Sequence, residues 1–262
     1  MNLNIWFCGF ITAIVLFQLV SIPALILKKN DLADVLWGPA FPICAFASLC
    51  FSGQWVEKQT DLRSMLILNF VTIWAIRLFL HVGVRNLKHK TEDVRYGNWR
   101  KKWGKTQVWR SYLQVFVLQA FILFLFLIPV LLSFSSESVT MGFFAWMGVV
   151  IWVGGFILET VADEQLRRFK LNSENRGKMM TTGVWSWSRH PNYFGEVTQW
   201  WGIWLMVCEL PYGWLSIIGP IGVNFLILKV SGVSMLEDLM KNRAGFAEYS
   251  SKTSRFIPLP PK

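Results

Sequence analysis

Long apolar stretches recur along the whole chain, and they constrain the fold more than any other feature of the sequence. The clearest runs from Tyr112 to Leu132, interrupted only by the polar side chains of Gln114 and Gln119. About 20 consecutive apolar residues suffice for a helix to cross the hydrocarbon core of a bilayer. Because a bilayer accepts only helices or closed barrels as spanning elements, the sequence predicts an all-α, polytopic membrane protein.

Seven membrane spans are predicted within a single integral membrane domain covering 1–262. The predicted spans are 5–27, 35–54, 64–84, 111–133, 141–162, 192–208 and 212–232. The sixth span is short and carries Glu196 and Gln199, so we expect other helices to shield it from lipid. The predicted fold is therefore a seven-transmembrane-helix bundle.

The net charge of +10 is distributed unevenly between the two predicted sides of the membrane. All but four of the 26 Lys and Arg residues follow spans one, three and five or lie in the C-terminal tail. The opposite side has only Lys58 and Arg63. The positive-inside rule then predicts an external N-terminus and a cytoplasmic C-terminus, in a bacterial inner membrane or the endoplasmic reticulum. This cytoplasmic bias explains the positive charge, so no nucleic-acid partner is predicted.

Several common motifs of enzymes are absent from the sequence. It contains no GxGxxG after a strand, no GxxxxGK[ST], no HExxH and no GxSxG. Three scattered histidines and four cysteines inside apolar runs predict neither a metal site nor disulfides. What remains is a bundle with a polar cytoplasmic vestibule and a lipid-accessible interior. Such a bundle suits an amphiphilic cofactor and a hydrophobic substrate, with membrane lipids as further partners.

The stretch from Thr182 to Glu196 passes directly from a polar, basic segment into an apolar helix. Its hydrogen-bonding and ionisable side chains should gather where water meets the membrane: Arg189, His190, Asn192, Tyr193 and Glu196. A simple anchor needs no such set of groups. We therefore interpret the stretch as a head-group site for an anionic cofactor. The turn just before it contains Lys178, and a cation with backbone N–H groups beside a helix start suits phosphate binding.

Ionisable groups also occur at the end of the fifth span and inside the third. Asp163 shares a helix face with Glu159 and with Arg167, and it lies close to the predicted membrane boundary. Arg77 lies in the middle of a span, where an unpaired arginine costs about 2.5–3.5 kcal/mol. We expect an acidic partner for Arg77, with Asp34 and Glu159 as the candidates.

The start of the second span and the loop at 85–110 supply further candidates. Asp31 is predicted to cap the helix of the second span, whereas Asp34, one turn deeper, has no such local role. In the loop, Trp99 and Trp103 with intervening cations predict an amphipathic helix on the cytoplasmic face. The compact polar cluster just before it is a candidate wall of the site: Glu92, Asp93, Arg95 and Tyr96.

These residues together resemble the C-terminal domain of the steroid 5-alpha-reductase family, and most closely its bacterial-type DUF1295 branch. The resemblance is strongest in Gly177-Lys178, in Thr182-Gly183-Val184-Trp185 and in the segment from Ser188 to Glu196. It extends over nearly the whole chain, to Asp31, Asp34, Trp37, Gly38, the Glu92–Tyr96 cluster, Leu236-Glu237 and the ending from Tyr249 to Pro258. The shorter RHPxYxG core is also similar to that of membrane methyltransferases modifying isoprenylcysteine or phosphatidylethanolamine.

The resemblance implies a seven-helix membrane reductase that uses NADPH to saturate a carbon–carbon double bond conjugated to a ketone. The substrate would be steroid-like or another lipid, as for a 3-oxo-5-alpha-steroid 4-dehydrogenase. The resemblance also implies that Asp163, Asn192 and Glu196 contact the cofactor, within a cofactor-binding part at about 159–262. Arg77 and Lys170 fall on or near basic positions of the family. The predicted cofactor-binding set is Arg77, Asp163, Arg167, Lys170, Lys178, Arg189, His190, Asn192, Tyr193 and Glu196.

The chain departs from that family where the steroid-reducing enzymes engage the substrate ketone with a Gln-Glu pair and a Tyr. Those positions here are Leu36, Trp37 and Trp74. The predicted catalytic acid is therefore Asp34, kept protonated by burial, or Tyr96. An S-adenosylmethionine-dependent methyltransferase acting on a lipid or isoprenylcysteine is the alternative function. A non-enzymatic protein that binds lipid or a partner is the third.

Overall fold

The computed structural model describes residues 2–88, 91–230 and 232–261. Within those ranges the regular structure is helical, apart from one isolated parallel bridge between Ser188 and Ser254. The α-helices are α1 Leu3–Leu27, α2 Leu32–Phe51, α3 Trp55–Lys58, α4 Leu62–Lys88, α5 Val94–Trp103, α6 Gln107–Ser111, α7 Leu118–Ser135, α8 Phe143–Leu171, α9 Pro191–Val207, α10 Ile218–Phe225, α11 Val233–Met240 and α12 Phe246–Lys252. Two π-helical turns, Tyr112–Val117 and Leu226–Val230, precede α7 and follow α10.

Six helical segments of the described chain are long and apolar enough to cross a membrane, which fits an integral multi-pass membrane protein. They are Leu3–Leu27, Leu32–Phe51, Leu62–Gly83, Val94–Ser135, Phe143–Leu171 and Gly213–Met240. Each corresponds to one predicted span. The remaining predicted span, 192–208, is α9, whose 17 residues rise about 26 Å against a hydrocarbon core of about 30 Å. The total of seven spans and the orientation of the termini therefore stay predictions.

The chain divides into two compact units where the sequence predicts a single domain. The first comprises 2–141 with Leu210–Ser216, and the second comprises Gly142–Glu209 with 217–261. In the first unit, α1, α2, α4 and α7 pack around an apolar core. The Phe41 ring there lies edge to face with Trp37 and with Trp74, at centroid distances of 5.5 and 5.4 Å. Trp37 and Trp74 stand at two of the three positions where the steroid-reducing enzymes engage the substrate ketone, and here both take part in aromatic packing.

In the second unit, α8 and α9 pack along most of their length, and glycines set their spacing. Gly155 of α8 faces Gly195 of α9, and Gly148 faces Gly202 further along the pair. A Cβ atom on Gly155 would lie 2.7 Å from the carbonyl oxygen of Gly195. On Gly148 it would lie 2.6 Å from the carbonyl oxygen of Gly202. Both distances are too short for a carbon–oxygen contact, so this approach of two backbones requires glycine.

Candidate functional site

In the first unit, the beginnings of α2 and α5 meet in a polar cluster that contains both predicted catalytic residues. Asp34 accepts a hydrogen bond on each carboxylate oxygen, from Tyr96 Oη at 2.7 Å and from Arg95 Nη2 at 2.7 Å. Arg95 Nε also donates to Asp93 Oδ1 at 2.9 Å. Tyr96 is only 3% exposed, so its hydroxyl is held against Asp34 inside the unit.

Hydrogen bonds between the start of α2 and the segment before α5 position this cluster. The Asn30 backbone N–H donates to Glu92 Oε1 at 2.8 Å. Arg100 donates to both oxygens of Glu92, from Nη2 to Oε1 at 2.6 Å and from Nε to Oε2 at 3.2 Å. The Asp93 N–H donates to Asp31 Oδ2 at 3.3 Å. The prediction that the Asp31 side chain caps α2 is therefore wrong: Asp31 is the N-cap residue, but its carboxylate makes no capping bond and accepts from Asp93.

Burial raises the pKa of Asp31 above its ordinary value of 3.8, and the neighbouring Glu92 and Asp93 carboxylates raise it further. The Asp93 N–H and the Lys29 charge oppose this rise without cancelling it. Because the folded-state pKa exceeds the unfolded one, the stability that Asp31 contributes is present at low pH. It is lost as pH rises through the folded-state value.

We expect Asp31→Asn to raise the melting temperature in detergent by a few degrees at neutral pH. The amide keeps an oxygen for the Asp93 N–H and removes the buried charge. The gain should shrink as pH is lowered, because the wild-type carboxyl then becomes protonated and neutral as well. Melting curves of both proteins from neutral to acidic pH provide the measurement. Asp238→Asn, at a side chain 76% exposed, should change nothing at any pH; a pH-independent difference for Asp31→Asn would contradict the expectation.

In the second unit, α8 and α9 bring polar groups together in two successive layers. Asn192 Nδ2 donates to Asp163 Oδ1 at 3.0 Å, and both side chains are half-buried. Deeper in the helix pair, Gln199 Nε2 donates to Glu159 Oε2 at 2.7 Å, and these two residues are 2% and 4% exposed. Glu196 lies between the layers, one turn after Asn192, and is half-buried. The structure thus brings Asp163 and Asn192 into contact.

The Glu159–Gln199 pair lies outside the set of residues predicted for the site. A signal for it exists in the spacing, since Glu159 is four residues before Asp163 and Gln199 is seven after Asn192. Both intervals return a side chain to the same face of its helix. Polar groups that recur on one face of an apolar helix indicate a partner on a neighbouring helix.

Arg189 and His190 bind the C-terminal part of the chain. Arg189 binds Glu237 through two parallel hydrogen bonds, Nε to Oε1 at 2.9 Å and Nη2 to Oε2 at 2.7 Å. Its Nη1 donates to the carbonyl oxygens of Ser250 at 3.1 Å and Thr253 at 2.7 Å. His190 Nε2 lies 2.9 Å from Glu237 Oε1. All three guanidinium nitrogens of Arg189 therefore have protein partners.

The surroundings of His190 favour its neutral imidazole. Burial lowers the pKa of His190 below its ordinary value of 6.5, although the hydrogen bond to Glu237 partly offsets this effect. The Nε2–H tautomer is the one that can donate to Glu237. The ring of Tyr193, another predicted cofactor residue, stacks on the imidazole with a centroid distance of 6.0 Å.

Backbone contacts fix the tail, 246–261, along the same stretch. The Tyr249 hydroxyl donates to the carbonyl oxygen of Trp185 at 2.6 Å. The Leu259 N–H donates to the carbonyl oxygen of Trp187 at 2.9 Å, and the Arg189 N–H donates to that of Ser254 at 2.8 Å. The tail is therefore an integral part of the second unit.

The other predicted cofactor residues lie on the surface or in the first unit. Arg167 is exposed and binds Glu164, with Nε 2.6 Å from Oε2. Lys170, on the last turn of α8, and Lys178, beyond it, are exposed. Arg77 belongs to α4 in the first unit, and its pairing with Asp34 or Glu159 stays a prediction.

Comparisons with known proteins identify one family and one relative. A family model described as "protein of unknown function (DUF1295)" matches residues 21–253. An uncharacterised protein of Schizosaccharomyces pombe is 23% identical over 290 residues, covering 98% of this chain and 80% of the relative. No solved structure matches the chain at a significant level.

Proposed function

The chain belongs to the DUF1295 family, and from that premise we propose that it is a membrane-embedded, NADPH-dependent reductase. It would reduce a carbon–carbon double bond conjugated to a ketone in a steroid-like or other lipid substrate. The observation that carries the proposal is the 3.0 Å hydrogen bond between Asn192 and Asp163 at the start of α9. These two residues and Glu196 are the positions at which the resemblance to steroid 5-alpha-reductases implies cofactor contacts.

The side chains of the second unit fit the polar groups of NADPH. Asp163, Asn192 and Glu196 are half-buried, and carboxylate and amide groups can bind ribose hydroxyls and a carboxamide. The exposed cations Lys170 and Lys178 suit phosphate groups. Arg189 does not fit a phosphate-binding role, because its guanidinium is fully used by Glu237 and the tail. When bound, NADPH would supply a hydride, while the chain binds, orients and excludes water.

Within the first unit, Tyr96 is a better proton donor than Asp34. Both oxygens of Asp34 act as acceptors, and the Arg95 cation at 2.7 Å favours the ionised carboxylate. A group in this state is poorly suited to donate a proton. Tyr96 carries its proton on the hydroxyl that faces Asp34. We assign proton donation to Tyr96, with Asp34 and Arg95 as the residues that orient it. The hydroxyl would exchange its hydrogen bond to Asp34 for one to the substrate carbonyl, and the phenolate left after proton transfer would be reprotonated from water.

We also propose seven membrane spans, with the N-terminus outside and the C-terminus in the cytoplasm. The distribution of Lys and Arg supports this orientation. The extensive packing of the short helix α9 against α8 supports its role as the enclosed sixth span.

The cofactor can be tested by thermal shift of the purified protein in detergent. At a concentration of 100 times Kd, NADPH should stabilise the protein by about 2.7 kcal/mol, whereas S-adenosylhomocysteine should have no effect. Asn192→Ala should reduce the NADPH shift, because it removes the contact with Asp163. Asn242→Ala, at an exposed position in the same unit, should retain the full shift.

A second measurement, NADPH oxidation in the presence of a panel of enone lipids, separates cofactor binding from turnover. Tyr96→Phe should keep the thermal shift and lose most of the oxidation rate. Stabilisation by S-adenosylhomocysteine alone would replace the reductase with a methyltransferase acting on a lipid or isoprenylcysteine. Stabilisation by neither ligand would leave a non-enzymatic membrane protein.

A further inference from the structure

The segment from Val94 to Ser111, which we term the basic arm, has an unusual balance of charge. It consists of α5, a 3₁₀ turn at Gly104–Thr106 and α6, and it contains six basic and no acidic residues. Two of the six are neutralised within the first unit: Arg95 binds Asp34 and Asp93, and Arg100 binds Glu92. The remaining four basic residues are Lys101, Lys102, Lys105 and Arg110.

None of these four cations has a carboxylate partner among the described residues. Lys101, Lys102 and Lys105 are exposed and form neither an ion pair nor a hydrogen bond within the described ranges. The Arg110 guanidinium lies 6.0 Å from the centroid of the Trp109 ring. Its Nε is buried and has no hydrogen-bond partner in the parts of the chain that the structure describes. The arm therefore presents an unbalanced positive surface.

Large apolar side chains are exposed beside these cations. Trp99 is 45% exposed, Val108 59% and Trp109 53%. The arm also continues without a break into the apolar segment that ends at Ser135, so its C-terminal end adjoins a membrane surface. Tryptophan next to lysine and arginine at this level is typical of segments that lie in the interface between lipid and water.

We propose that the basic arm binds the headgroups of anionic lipids. Lys101, Lys102, Lys105 and Arg110 would contact lipid phosphates, while Trp99 and Trp109 lie among the glycerol and upper acyl groups. A bilayer is favoured over a soluble anion, because a soluble anion would leave the two indoles in water. Trp99 lies one turn after Arg95 and Tyr96 on α5, and its ring packs against that of Tyr96 at a centroid distance of 5.4 Å. Lipid binding would therefore also steady the helix that holds Tyr96 against Asp34.

Hydrogen–deuterium exchange of the full chain in nanodiscs tests the proposal without reference to catalysis. One nanodisc contains only phosphatidylcholine, and the other contains phosphatidylcholine with phosphatidylglycerol. Each cation near an anionic surface contributes about fivefold to binding at low salt, so the amides of the basic arm should exchange at least tenfold more slowly in the anionic nanodisc. Amides of α12 should not differ. Added salt should reduce the difference.

A charge-matched pair of variants assigns the effect to the arm. The triple variant Lys101→Gln, Lys102→Gln, Lys105→Gln should lose most of the difference between the two lipids. The control triple Lys241→Gln, Arg243→Gln, Lys252→Gln removes the same charge from the second unit and should keep it. Equal exchange of the wild-type arm in both nanodiscs would overturn the proposal. So would equal protection by inorganic phosphate added to the phosphatidylcholine nanodisc, since that result indicates a soluble anion.

Discussion

A single added methyl group at Gly155 should destabilise the second unit by about 1–3 kcal/mol. The Cβ of Gly155→Ala would lie 2.7 Å from the Gly195 carbonyl oxygen and 3.0 Å from the Gln199 backbone nitrogen. Neither atom can move unless α9 moves with it. That displacement would stretch the bonds from Gln199 to Glu159 and from Asn192 to Asp163. The loss should appear as a lower melting temperature in detergent.

The adjacent residue is a matched control for this substitution. A Cβ atom on Gly154 would meet nothing within 4 Å, in the same helix and at the same depth. Alanine is a better helix former than glycine by about 1 kcal/mol, so Gly154→Ala should melt at the wild-type temperature or above it. If Gly155→Ala has the same melting temperature as Gly154→Ala, then α8 and α9 do not approach each other as closely as described.

A second large effect is expected at Arg189, whose replacement by methionine should destabilise the folded protein by about 3–5 kcal/mol. The side chains of Arg189 and Glu237 are only 9% and 15% exposed. Removing the guanidinium would leave Glu237 with His190 and, at 4.0 Å, with Arg255 Nε. The carbonyl groups of Ser250 and Thr253 would lose their Arg189 donor. The tail should then become accessible to protease before the rest of the second unit. Limited proteolysis followed by mass spectrometry locates the cuts.

The exposed ion pair on α8 serves as the control for Arg189→Met. Arg168 binds Glu164 at 2.6 Å, but its side chain is 76% exposed, and such surface pairs contribute at most about 1 kcal/mol. Arg168→Met should therefore leave both the melting temperature and the protease resistance of the tail nearly unchanged. A tail that stays equally resistant in Arg189→Met would show that the backbone contacts of Tyr249 and Leu259 suffice to hold it.

The membrane-spanning helices could be predicted from sequence because their signal is local. Six predicted spans correspond to helices in the structure, since a bilayer imposes apolarity on every residue of a span that faces lipid. The helix predicted from Trp99 and Trp103 is confirmed as α5, and the rings of these two residues lie 5.8 Å apart. Asp163 and Asn192 could be singled out because they lie near the predicted membrane boundary and because the family resemblance implies cofactor contacts at their positions.

The partners of Arg189 and His190 could not be predicted in the same way. Their carboxylate lies 48 and 47 residues further along the chain, and the carbonyl of Thr253 lies 64 residues beyond Arg189. No short-range pattern encodes contacts over such separations. The glycine contacts between α8 and α9 are similar, because a glycine inside an apolar helix does not specify which backbone it faces.

The return of the tail to Trp187 and Arg189 has a consequence for biosynthesis. Arg189 leaves the ribosome 64 residues before Thr253, or roughly 3–13 s earlier at typical synthesis rates. During that interval its guanidinium must be hydrated or bound by lipid headgroups or a chaperone. The helices α8 and α9 can already pack against each other, but the polar stretch between them cannot reach its final conformation. The second unit is therefore completed only after the tail has been synthesised, so a stop codon that deletes α12 and the residues after it should yield an incomplete second unit.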